Sequence, residues 1–197
     1  MGFLKRLFGG QQPADFWQWV SANVDLIRAG DAAFVEREIL PRFNKSFKEL
    51  SLGVLLGDPT EFEIGAGGIS EYIPKVIEAV QSAPAIPGIK VVAFRQPHQP
   101  QGGIRMGDTE VDLAATRVVV AGEHEGRVDI DLYVAVPPDT SMPIVMQLGF
   151  LALDHSLGEY LVMTQIGGID FHTIDQAPHD AVTIQEFAAS LPPSPIP

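Results

Sequence analysis

The hydrophobic pattern changes period several times along the chain, and each change marks an element. Phe16, Val20, Val24 and Ile27 recur at helical spacing, which predicts a helix capped by Asp15 and running to about Ala29, with Gly30 as its stop and Trp17 and Trp19 beside the buried face. Asp31 opens a second helical stretch, Ala32 to about Leu50, striped by Phe34, Ile39, Phe43, Phe47 and Leu50. Pro41 lies inside it, which predicts a kink or two segments, because proline lacks the amide that an inner turn needs. The two stretches read as an antiparallel pair. Ser51–Leu56 and Glu61–Ile64 then flank Gly57-Asp58-Pro59-Thr60, the pattern of a hairpin.

A strand-to-helix step follows at Gly65-Ala66-Gly67-Gly68, after which Ser70 is placed to cap a helix over Glu71–Ser82, with Tyr72, Ile73, Val76, Ile77 and Val80 inward. Ile89–Phe94 is almost continuously apolar and reads as a central strand. A parallel crossover from the Glu61 strand through this helix to Ile89–Phe94 is therefore expected. Arg95–Gly103 is loop, and Ile104–Val111 has room for one short strand. Thr116–Ala121 and Arg127–Val136 form a second hairpin around Gly122–Gly126. Within it Val128, Ile130, Leu132 and Val134 alternate with Asp129, Asp131 and Tyr133, so one face is core and the other wet.

The most apolar run is Ser141–Phe171. A helix near 141–157, capped by Ser141 or Thr140 and with Pro143 in its first turn, is apolar almost all round and is expected to be central and buried on most sides. Gly158 stops it. Tyr160–Gln165 and Ile169–Ile174 read as strands, with Gly167-Gly168 as a turn or bulge, and Thr183–Leu191 as a short terminal helix. These elements add up to an α+β fold: a mainly antiparallel sheet of about five to seven strands with helices packed on one face. The organisation expected is an N-terminal arm over 1–13, one α+β domain over 14–175, and a short helix with a Pro-rich tail over 176–197.

Composition narrows the classes of function. With 46% hydrophobic residues the 197-residue chain can bury a substantial core. A formal charge of −12 disfavours nucleic-acid backbones and anionic lipid surfaces, and suits either a soluble protein that resists self-association or one with a basic partner. The absence of cysteine excludes disulfides, thiolate nucleophiles and Cys-ligated zinc. In MGFLKRLFGG, Phe3, Leu4, Leu7 and Phe8 can share a helical face opposite Lys5 and Arg6, which fits a frayed terminus or a segment docked on the domain better than a small interfacial membrane anchor. This opening has no export-signal pattern, and the run Met142–Leu153 is too short to span a bilayer, so a cytoplasmic protein is expected.

No motif for a cofactor or metal stands out. Gly65–Ser70 is neither G-x-G-x-x-G nor a Walker loop, and reads as a tight turn needing positive φ. His98, His124, His172 and His179 fall in or beside loops without ligand spacing, and Asp129 with Asp131 reads as a solvated face. Ser141 and Ser156 lack the surroundings of a nucleophile elbow. The most site-like residues are Arg95, Gln96 and His98 at the end of a strand, together with Asp154, His155 and Glu159 at the helix stop. Arg95 is suited to pair with Glu159 or Asp154, either as a structural ion pair or within a binding site. On a continuous helix His155 and Glu159 would share a face, but Gly158 stands between them.

Four segments, FWQWVSAN (Phe16–Asn23), AGGISEYIPKVIEAVQSAP (Ala66–Pro84), VVAFRQP (Val91–Pro97) and LDHSLGEYLVMTQIGGIDF (Leu153–Phe171), together resemble a family of uncharacterised bacterial proteins with FWxWF-, AFRQ- and LGEY-type segments in the same order. The resemblance implies a bacterial cytosolic domain and carries over no catalytic residue. Two functions remain open on the residues. One is a non-enzymatic interaction or regulatory module, in the manner of an immunity protein. The other is a small-ligand binder or enzyme using the Arg95 loop and the Asp154–Glu159 turn.

Overall fold

The computed structural model describes residues 12–98, 104–193, 195 and 196. The expected arm over 1–13 falls mostly outside them. The fold is α+β. The chain divides into two compact units, Met1–Arg95 and Gln96–Ile196, and the division falls inside the stretch read as one domain. The strands form three sheets rather than one. Four of the six strand pairings among the described residues are antiparallel.

Unit one begins with α1 (Pro13–Ala22) and α2 (Val24–Arg28), broken at Asn23. Asp15 does not stand at the cap position. It lies in the first turn, and its carboxylate accepts from the Gln12 amide at 2.9 Å. The second helical stretch splits as Pro41 requires: α3 (Ala32–Phe34), a π turn over Val35–Ile39, then α4 (Leu40–Ser46). Phe16 gathers Trp17, Phe43, Phe47 and Phe62 at centroid distances of 5.0 to 6.4 Å, so the core of this unit contains an aromatic cluster. Trp17 is buried rather than flanking.

The hairpin forms as β1 (Ser51–Leu55) and β2 (Thr60–Gly65). Gly67 and Gly68 take φ of 63° and 78°, so the glycine run is a positive-φ turn. It leads through a 3₁₀ turn at Ser70–Tyr72 into α5 (Ile73–Gln81) and then β3 (Ile89–Ala93), which pairs parallel with β2. The sheet order β1-β2-β3 makes β3 an edge strand, not a central one. An apolar run reports cover on the two faces of a strand, and says nothing of a neighbour on each edge.

Unit two opens with β4 (Ile104–Met106) and β5 (Thr109–Val111), two strands turning at Gly107 where one was expected. β6 (Arg117–His124) and β7 (Arg127–Val134) form the second hairpin. The order β8-β7-β6-β9 places β8 (Ile166–Thr173) parallel to β7, and β9 (Val182–Thr183) against the first two residues of β6. The β7–β8 register slips between Val128 and Ile130, which is the bulge at Gly167-Gly168.

Between them α6 (Met142–Leu157) lays Val145, Leu148, Ala152 and Leu153 on Ile130, Leu132 and Val134. Gly149 lets the Phe171 ring approach: a Cβ there would lie 2.6 Å from it. α6 is not buried on most sides. Met142, Met146 and Phe150 are 45%, 43% and 45% exposed, because the sheet and its neighbouring helices cover one face and leave these three side chains open among the described residues. The expected strand Tyr160–Gln165 is instead helical, as α7 (Glu159–Gln165). Gly158, at φ 85° and ψ 141°, ends α6 and starts α7 with no loop between, and Val162 N–H already donates to its carbonyl at 3.1 Å. α8 (Ile184–Ser190) completes the unit. Among the described residues no helix is long and apolar enough to cross a membrane.

Candidate functional site

Phe94 precedes the residues read as most site-like, and it holds φ at 64°, a left-handed conformation rare for an aromatic residue. Its amide donates to the Ile64 carbonyl at 2.7 Å and its ring is fully buried, so β2 and the core hold the strain in place. Arg95 follows, half-buried, as the last residue of unit one, whereas Gln96 and His98, also half-buried, open unit two.

Within unit two the structure brings His98 to the end of α6. The His98 amide donates to the His155 carbonyl at 2.8 Å, and the two imidazole centroids lie 5.2 Å apart. Asp154 and His155 occupy the last turn of α6, where the Gly158 amide donates back to Asp154 at 2.9 Å. Glu159 is 0% exposed at the first position of α7. A carboxylate at a helix N-terminus is favoured by the helix dipole, yet full burial of one is rare and demands partners. Gly158, at φ 85° and ψ 141°, interrupts the helix between His155 and Glu159. Among the described residues no group of three or more His, Asp or Glu side chains is arranged to hold a metal ion.

A second cluster was not anticipated. Parallel pairing of β7 with β8 sets Asp131 opposite Asp170 and Tyr133 opposite His172. His172 Nε2 lies 3.3 Å from Asp131 Oδ1, and its ring stacks on Tyr133 at 4.9 Å and 22°. Burial raises the Tyr133 hydroxyl pKa above its ordinary value, with the Asp131 and Asp180 charges adding to the effect, so the phenol stays protonated. No nucleophilic side chain is hydrogen-bonded to Asp131 or His172 among the described residues. The alternation of Asp129, Asp131 and Tyr133 revealed this face, but the neighbour that brings His172 is set by a connection through α6 and α7.

Unit one contains a cavity of about 280 Å³, lined by Ser46, Phe47, Lys48, Glu49, Lys75 and Glu78 among others. None of the residues singled out from the sequence lines it. Lys75 pairs with Glu49, a contact that raises the lysine pKa, and its ammonium lies 4.5 Å from the centroid of the Tyr72 ring. Its two lysines are matched by two glutamates, so the wall has no net charge to select an ion.

Charge is divided very unevenly. Residues 1–95 carry 11 acidic and 10 basic side chains, a net −1, whereas residues 96–196 carry 14 acidic and 3 basic, a net −11. The second unit has no lysine at all. No family model matches the chain, and neither curated proteins nor solved structures provide a match.

Proposed function

We propose that this chain is a non-enzymatic protein-interaction or regulatory module of the bacterial cytosol that engages a basic partner, in the manner of an immunity protein. The observation that carries the reading is the concentration of charge: 14 acidic side chains against three arginines in a unit of about a hundred residues. Such a surface steers and orients a cationic protein and repels nucleic acid and anionic lipid.

The test is capture from a bacterial lysate with the full chain, eluted along a salt gradient. A specific protein of high isoelectric point is expected, released as salt rises because exposed charges are screened. A chain carrying Glu123→Gln, Glu125→Gln, Asp170→Asn and Asp175→Asn should release it at distinctly lower salt. Failure to retain any specific protein, or equal retention by the neutralised chain, sinks the reading.

For the small-ligand or enzymatic alternative, the observation in its favour lies within the second unit, where His98 approaches His155 at the end of α6. This alternative requires a small molecule that raises Tm in the native chain and fails to do so in His98→Ala and His155→Ala.

A further inference from the structure

We infer that Met142, Met146 and Phe150 form a docking ridge for a basic amphipathic helix of a protein partner. This inference rests on the interaction reading above and names the surface. The three side chains stand at i, i+4 and i+8, a stripe about 12 Å long at 1.5 Å per residue. The fold does not need them: the opposite face of α6 is already filled by Val145, Leu148, Ala152 and Leu153. Phe150 is braced by the Phe171 ring at 4.9 Å, which gives the ridge one fixed point, while the two methionines adapt to whatever covers them. A helix laying apolar side chains at i, i+3, i+4 and i+7 matches such a stripe.

Charge decides among occupants. Asp139 is exposed three residues before Met142, and the unit that carries the ridge has 14 acidic side chains against three basic ones. A second copy would bring one unit of net −11 against another, and an anionic membrane would be repelled likewise. A helix with lysines beside its apolar stripe meets complementary charge and apolar surface together.

The experiment titrates the full chain into a labelled Leu/Lys peptide of about 14 residues with leucine at i, i+3, i+4 and i+7, read by fluorescence anisotropy. A scrambled Leu/Lys peptide of equal composition and a Leu/Glu counterpart serve as controls. Saturable binding of the amphipathic Leu/Lys peptide is expected, with neither control binding comparably. Met146→Gln and Phe150→Ala should each weaken it about tenfold or more; both positions are exposed, and an unchanged circular dichroism spectrum verifies the fold. Binding that survives both substitutions overturns the ridge while leaving the acidic-partner reading intact, provided the four-site neutralised chain has lost it. No binding by wild type, together with no captured basic partner, overturns both. A dimer in sedimentation that Phe150→Ala dissociates assigns the ridge to a second copy and also overturns the inference.

Discussion

Phe94 combines a strained backbone with a buried ring, and the two effects are separable by substitution. Phe94→Ala keeps the unfavourable φ and loses the ring, so it should cost about 3–5 kcal/mol of stability in urea unfolding. Phe94→Gly loses the same ring but relieves the left-handed conformation. It should be more stable than the alanine variant by roughly 1 kcal/mol, and the reverse order would mean that the backbone is not strained. Gly158 poses the opposite case: its φ of 85° with ψ of 141° suits glycine alone. Gly158→Ala should lose about 1–3 kcal/mol, read as a drop in Tm, and should disturb the junction that buries Glu159.

Among the elements, α8 is held at its start by a reciprocal cap. Glu186 N–H donates to Thr183 Oγ1 at 3.1 Å, while the Glu186 carboxylate accepts from the Thr183 amide at 2.8 Å and from its hydroxyl at 2.7 Å. Thr183→Ala should therefore cost about 1 kcal/mol. The Thr183 amide, followed by its hydroxyl, lowers the Glu186 pKa below its ordinary 4.5. Because the folded pKa is the depressed one, this stabilisation is present above the unfolded value and disappears as pH falls through the folded value. Glu186→Gln should accordingly lose stability near neutrality and show a flatter acid limb below pH 4.5, measured as Tm against pH.

Both hairpins, the split at Pro41, the Gly158 stop and the glycine bulge were legible in the sequence, since each is a local rule about which residue tolerates which φ or hydrogen bond. Tyr160–Gln165 was misread because its apolar and β-branched residues satisfy a strand pattern locally, whereas the helix follows from the start that Gly158 and Glu159 provide. Of the site residues, the approach of His98 to His155 lay beyond local rules, as did the meeting of Asp131 with His172. Both depend on pairings between segments far apart in the chain.

For the whole molecule the net charge of −12 concealed the decisive fact, its partition into −1 and −11. A total cannot reveal where a chain divides. The exposed side of α6 was concealed in the same way, because an apolar helix looks buried until its neighbours are counted. The partition predicts that partner binding weakens steeply as salt approaches physiological strength, through the association rate more than the dissociation rate. Stopped-flow mixing at two ionic strengths distinguishes the two.

The short reach of β9 has a different consequence. Because it pairs only with Arg117 and Val118, the outer edge of β6 from Val119 to His124 has no neighbouring strand among the described residues, and Val120 there is 58% exposed. Such an edge is a template for stacking chain upon chain. What guards it is the irregularity near Gly122, the Glu123 carboxylate and the mutual repulsion of acidic molecules. Near the isoelectric point of 4.7 the repulsion vanishes, so turbidity should peak there and Val120→Lys should suppress it. The acidity on which the proposed cationic partner depends would thus also oppose the stacking of copies at this edge.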